Sequence, residues 1–196
     1  MTVNYKSFAP PPFCKKEILR YAGAAGSDYA TSVLLDEVIA EAESAFCYKV
    51  CYAELPLKIT EDVCDFDVFS VKSKDLAKNL KECDGVILFA ATVGVGIDRL
   101  ISKYSRLSPS RAVMLDAVGS ERIESLCDTF CAELSGLHNA VLAPRFSPGY
   151  GDLPLDTQRS IAAVLNMPKN IGVSLTDSLM LTPAKSVTAF AGIKKG

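Results

Sequence analysis

Residues 85–97 read GVILFAATVGVGI, an apolar run opened by Asp84-Gly85 and broken by Gly94 and Gly96. A continuous apolar stretch between turn signals predicts a buried strand over GVILFAAT, and it is too short to cross a bilayer. Elsewhere the apolar spacing changes to the helical period. Residues 14–22 carry Ile18, Leu19 and Tyr21 and stop at Gly23; Ser27-Asp28 then cap a helix through VLLDEVIAEAESAF. Ser73 caps SKDLAKNLKEC, with Leu76 and Leu80 on one face. Residues 97–107 predict a further helix. Ser108 as cap and Pro109 at the first helical position open a long helix over 111–134, which Gly136 should end. Residues 156–166 predict a helix capped by Asp156. Strands are expected over 47–57, ended by Pro56, over 139–143, and as two short strands in 172–193 joined around Pro183. The first thirteen residues, with Pro10-Pro11-Pro12, predict an extended arm. The expected class is α+β, a single domain over residues 1–196, with helices packed on a partly antiparallel sheet.

Composition narrows the function classes. A chain of 196 residues that is 49% hydrophobic and 22% charged is long enough for one substantial core. No basic-then-apolar leader opens it, so a cytoplasmic location is expected. With 21 Lys and Arg against 23 Asp and Glu, the only basic cluster is the small pair Lys194-Lys195, which argues against nucleic acid as a partner. The seven cysteines contain no Cys-x-x-Cys pair, and His138 is the only histidine. Buried thiols therefore explain the cysteines better than a metal site. The spacings of Cys47/Cys51 and Cys127/Cys131 would each share one face of a helix.

Three segments carry candidate chemistry. In Gly94-x-Gly96 a strand precedes a helix, as in dinucleotide sites, but Arg99 occupies the third glycine position of that fingerprint. A structural turn is the simpler reading, with a nucleotide-binding enzyme as the rival. Glu121, Glu124 and Asp128 sit within two turns of the long helix, with Glu124 and Asp128 on one face, and the plain expectation is a solvated surface. The third segment is APRFSPGYGDLP. There Arg145 can grip a carboxylate bidentately, Gly149 permits close backbone approach, and Tyr150 offers a ring with a hydroxyl. Such a loop suits a small zwitterion, and a proline-glycine turn with an exposed arginine is the alternative.

Three blocks in register connect this loop to a known pattern: RFSPGY at 145–150, Leu175-Thr176-Asp177-Ser178, and Pro183-Ala184-Lys185-Ser186-Val187-Thr188. Their order and spacing resemble the activation domain of cobalamin-dependent methionine synthase, with an Arg-x-x-x-Gly-Tyr loop, a helix, a Leu-Thr-acid-Ser segment and a Pro-x-x-Ser-Val-Ser strand. The likeness is looser over 88–134, and the first eighty residues add little. Two departures stand out. Gly151-Asp152-Leu153-Pro154-Leu155-Asp156 replaces the usual Pro-Ala-Cys-Pro-acid-His, and Ala191 replaces a tyrosine.

The resemblance implies S-adenosylmethionine as ligand, held by Arg145, Gly149, Tyr150 and an acidic residue matched to Glu124. It implies no catalytic acid or base and no metal ligand. It further implies a free-standing activation module for reductive methylation of cob(II)alamin in methionine biosynthesis. That module would be a component of a methyltransferase rather than an enzyme active alone. Its partners would be the cobalamin-carrying methionine synthase core, or another corrinoid protein, and an electron donor such as flavodoxin or ferredoxin. Cobalamin would come from the partner, since the family of corrinoid carriers uses an Asp-x-His-x-x-Gly setting that His138 lacks. A non-catalytic S-adenosylmethionine-binding or regulatory module is the alternative.

Overall fold

A computed structural model describes residues 1–26 and 28–194; Ser27, expected to share the cap of the second helix, and Lys195 of the terminal basic pair lie outside the described residues. In chain order the strands are β1 (Asn4–Ser7), β2 (Lys49–Pro56), β3 (Lys58–Thr60), β4 (Val63–Asp65), β5 (Ser70–Lys72), β6 (Gly85–Thr92), β7 (Val141–Leu142), β8 (Ser174–Leu175), β9 (Leu181–Thr182) and β10 (Ser186–Lys194). The helices are α1 (Lys15–Tyr21), α2 (Tyr29–Ala42), α3 (Lys74–Leu80), α4 (Gly96–Leu107), α5 (Pro109–His138), α6 (Thr157–Leu165) and α7 (Met167–Ile171).

The principal sheet has the order β1-β2-β6-β10-β7, and every pairing in it is antiparallel. The apolar run of β6 follows from its place in this sheet. Ile87, Phe89 and Ala91 face the core beneath α2 and α5, while Val86, Leu88 and Ala90 face the core beneath α3, α6 and α7. Successive side chains of a strand point to opposite faces, so a sheet covered on both sides needs apolar residues at every position. The fold class is thus α+β, with helices on both faces of an antiparallel sheet.

The first thirteen residues are held at two points. β1 pairs with β2, and the prolines that follow lie against the buried pair Glu121–Arg122. The Arg122 guanidinium donates to the carbonyls of Pro11 and Pro12, the latter at 2.8 Å, and binds both Glu121 oxygens at 2.6 Å. Its Cζ lies over the Phe13 ring, 4.0 Å from the ring centre. Prolines donate no backbone hydrogen bond, but their carbonyls accept. Glu121 therefore does not belong to a solvated face.

Several expected boundaries move. Gly136 does not end α5, because the left-handed residue that terminates it is Asn139, with φ 46°. His138 consequently sits in the last helical turn, where its Nε2 lies 3.1 Å from Glu54. Asp28 caps α2 by accepting from the Thr31 N–H, and Ser73 caps α3 through Leu76. Asp156 and Ser108 occupy cap positions without making side-chain caps. The segment 172–193 holds three strands rather than two, and the longest is a central strand of the sheet. The meander β3-β4-β5, strand β1 and helix α7 were not expected. Cys47 and Cys51 precede and enter a strand, so they share no helical face. Burial pushes the Cys51 and Cys64 thiols up, to about 12 and about 11, so both are neutral packing groups.

Candidate functional site

Beyond β7 the chain continues alongside β10: the Ala143 N–H donates to Gly192 O, and Phe146 exchanges both backbone hydrogen bonds with Phe190. This pairing fixes Arg145 at the sheet edge, where a cleft of about 840 Å³ opens. Three groups of residues form its walls. α5 supplies Glu124, Asp128 and Cys131; the edge segment supplies Arg145 and, further on, Tyr150; α3 and α6 supply Asn79 and Gln158 from the opposite face of the sheet. Ser186 and Thr188, at the start of β10, also line it.

Arg145 is the electrostatic centre of the cleft. One terminal nitrogen lies 2.6 Å from Glu124 Oε2 and the other binds Asp128 Oδ1. Burial works to lower its pKa, but the Asp128 hydrogen bond and the surrounding negative partners outweigh it and raise the value. Burial also pushes the thiols of Cys127 and Cys131 up against the pull of Arg145, so neither serves as a thiolate at neutral pH. Glu124 and Asp128, which the helical spacing assigned to a solvated face, therefore line a cleft and pair with an arginine twenty-one and seventeen residues away.

Of the four residues the sequence points to, Arg145, Tyr150 and Glu124 line the cleft, and Gly149 is not among the lining residues. Gly149 has φ +90°, a conformation that strains other residues, and its N–H donates to Leu153 O at 2.9 Å. The tight turn it permits carries Tyr150 to the rim, where the ring is largely exposed. Ala191 is not at the cleft. It lies in the sheet core beneath α5, paired with Ile87.

The replaced segment after Tyr150 is fastened to α3. The Asp152 carboxylate accepts from the Ser73 hydroxyl, from the Lys74 N–H at 2.8 Å and from the Asp75 N–H at 3.2 Å. Gly151 has φ +52°, a backbone conformation that strains other residues, and a Cβ there would press on the Asp75 carboxylate. Sequence reasoning missed Asn79 and Gln158, whose place at the cleft arises from tertiary packing.

The Gly94-x-Gly96 loop is filled by protein. A Cβ on Gly96 would meet Ala45 O at 2.2 Å, and Gly94 packs on Cys47. The first turn of α4 carries Asp98, which accepts from the Ala184 N–H at 2.8 Å. A carboxylate at that helix start repels a phosphate, so the loop is a packing turn.

An antiparallel sheet covered on both faces, with an arginine-centred cleft at its edge, defines an α+β domain with a candidate small-molecule site. The chain belongs to the family described as "Vitamin B12 dependent methionine synthase, activation domain", whose model matches residues 70–195. No curated protein matches it in sequence. Among solved structures it is similar to a crystal structure of the MetH reactivation domain bound to AdoHcy. The TM-score is 0.71 at 14% identity, over 98% of this chain and 78% of that one. At that identity the likeness establishes the fold. Among the described residues, no helix is long and apolar enough to cross a membrane.

Proposed function

We propose that the chain binds S-adenosylmethionine at this cleft as an activation module, supporting reductive methylation of cob(II)alamin on a cobalamin-dependent methionine synthase core. The observation that carries the reading is Arg145 set between two carboxylates in the wall of a cleft of about 840 Å³. That size falls within the range of small-molecule sites, about 300–1,000 Å³. The residues suit the ligand: a guanidinium for its carboxylate, Glu124 for its ammonium or sulfonium, and the exposed Tyr150 ring to pack over the remainder. The AdoHcy of the structural neighbour supports the same ligand class.

Cobalamin, held by the partner, supplies the redox centre and the methyl acceptor, with electrons from a donor such as flavodoxin or ferredoxin. This chain contributes position. Arg145 and Glu124 fix the amino-acid end of the methyl donor, and the Gly149 turn sets Tyr150 at the rim. Orientation of that kind lowers a bimolecular barrier without a proton transfer. His138, bonded to Glu54 outside the cleft, has no role in it.

A non-catalytic S-adenosylmethionine-binding or regulatory module is favoured by one observation, the Asp152 clamp that ties the replaced segment to α3. Calorimetry separates the readings from nucleotide binding: S-adenosylmethionine and S-adenosylhomocysteine bind, and NAD(P) does not. Arg145→Ala weakens binding by about 10–100-fold, through loss of a charge-assisted contact, and Tyr150→Phe by only a few-fold. Equal, negligible effects remove Arg145 from the site. Methyl transfer to an added corrinoid partner then distinguishes the activation module from the regulatory one.

A further inference from the structure

The edge segment that carries Arg145 contains one residue more than the strand it runs beside. Leu142 pairs with Ile193 and the Ala143 N–H reaches Gly192 O, but the next contact is that of Phe146 with Phe190. Pro144 and Arg145 therefore stand together opposite Ala191 alone, which makes a β-bulge. The packing agrees with this. Leu142 and Phe146 are four residues apart and would share one face of a regular strand. Instead, Leu142 packs on the core beneath α2 and α5, and Phe146 on the core beneath α3, α6 and α7. A bulge bends its strand and re-aims side chains, so the direction in which Arg145 leaves the sheet edge depends on how this bulge is held.

The bulge also leaves a backbone carbonyl without a ladder partner. Phe190 uses both its backbone groups on Phe146, and those of Ala191 turn toward β6, because such groups alternate along an antiparallel strand. The Pro144 carbonyl is met by a side chain instead: Asn79 Nδ2, on α3, donates to it at 3.1 Å. A carbonyl only accepts, so it is the amide nitrogen of Asn79 that faces the bulge. Proline suits the position because it has no N–H to leave unpaired. The same helix holds the far end of the loop. The first turn of α3 binds Asp152 through Ser73, Lys74 and Asp75, Asn79 lies in its last turn, and Leu76, Ala77 and Leu80 anchor it in the core. The segment from Pro144 to Asp152, with Arg145 and Tyr150 inside it, is thus fastened at both ends to one element.

We propose that Asn79, by holding the Pro144 carbonyl at the bulge, is a positioning residue that sets the angle of the Arg145 guanidinium toward a ligand carboxylate. This rests on the reading of the cleft as a site for S-adenosylmethionine gripped by Arg145. Asn79 touches no ligand in this role. It acts through the backbone, on the one side chain whose bidentate geometry is most sensitive to a change of angle.

The test is calorimetry on the full chain with S-adenosylmethionine and with its decarboxylated form, which lacks only the carboxylate. The wild type prefers S-adenosylmethionine by about tenfold or more, the size of a charge-assisted contact. Asn79→Ala weakens S-adenosylmethionine by about three- to tenfold and the decarboxylated ligand by less than about twofold. In the background of Arg145→Ala it has no further effect, because the group it positions is gone. Should Asn79→Ala fail to fold, Asn79→Leu, which keeps the volume without a donor, carries the same comparison. Equal losses for the two ligands, an unchanged preference, or a loss that adds to that of Arg145→Ala reduce Asn79 to a packing contact; each overturns this proposal and leaves the proposed function standing. A wild type that binds both ligands alike removes Arg145 from the carboxylate and overturns the proposal with it, while the ligand class stands. Failure of S-adenosylmethionine to bind overturns the proposed function as well.

Discussion

Two arginines meet the long helix α5, and they are used in opposite ways. Arg122 is fully buried, and its guanidinium is occupied by Glu121, Ser125 and the carbonyls of Pro11 and Pro12, with the Phe13 ring against its plane. Arg145 retains 24% side-chain exposure, and its two acid partners are more open still. The first ion pair is saturated by the chain itself. The second is bracketed by two carboxylates that are themselves open to solvent. What separates the structural arginine from the one proposed to bind is therefore the number of its donors already satisfied by the chain, more than the presence of an acidic partner.

The largest effect should come from breaking the saturated pair. Arg122→Met leaves the Glu121 carboxylate buried with, among the described residues, only the Cys14 N–H and the Ser125 hydroxyl, and it strips Pro11 and Pro12 of their donor. Removing one partner of a buried pair costs about 3–5 kcal/mol. Urea unfolding should show a loss of that size, and the double variant Glu121→Gln/Arg122→Met should recover part of it. A loss below about 1 kcal/mol, the range of exposed pairs, would erase the contrast.

How far the sequence revealed these two sites follows the same division. The Arg145 loop was legible because its chemistry is local: an arginine, a stiffening proline and a glycine-tyrosine turn sit within six residues, in register with two later blocks. The β6 run and the caps at Asp28 and Ser73 were legible for the same reason. The Arg122 clamp was not, since the proline carbonyls that close it lie more than a hundred residues away. Glu124 and Asp128 have the spacing of any solvated helix face until the sheet edge sets Arg145 across from them. Gln158 and Asn79 carry no local signal, because their place at the cleft is set by the packing of α6 and α3. The strands β3, β4 and β5 have three residues each, too few for alternation to show a period.

The open pair should be sharpened by removing its acids one at a time. Glu124 is the less exposed of the two, at 44% against 73% for Asp128. On the proposed reading, a ligand carboxylate that reaches Arg145 displaces the freer Asp128. Glu124→Gln should therefore weaken S-adenosylmethionine by about three- to fivefold, with the deficit shrinking at high salt, through loss of a partner for the ligand's cationic groups. Asp128→Asn should strengthen binding by about two- to threefold, because it removes an intramolecular competitor. Binding isotherms over a salt series, beside thermal melts, check both. Changes of the same sign in the two variants would mean that the acids act as one diffuse charge.

The smallest effect concerns the segment beyond Tyr150, which resembles the saturated pair in geometry and the open one in exposure. Hydrogen bonds from the Ser73 hydroxyl, and then from the Lys74 and Asp75 N–H groups, hold the Asp152 carboxyl below the usual carboxylate range. A depressed folded-state pKa stabilises the fold above the unfolded value, about 3.9 for an aspartate, and the contribution fades as pH falls through the folded value. Acidification below about pH 4 should therefore loosen the segment from α3 while the sheet stays intact. The Asp152 N–H, which donates to Asp75 Oδ2 at 3.2 Å, is the probe. Its hydrogen-exchange protection, corrected for intrinsic rate, should drop across that window, and Asp152→Asn should show reduced protection already at neutral pH. Protection that is flat with pH in the wild type and unchanged in the variant would show that the turn at Gly151, rather than the carboxylate, holds the segment in place.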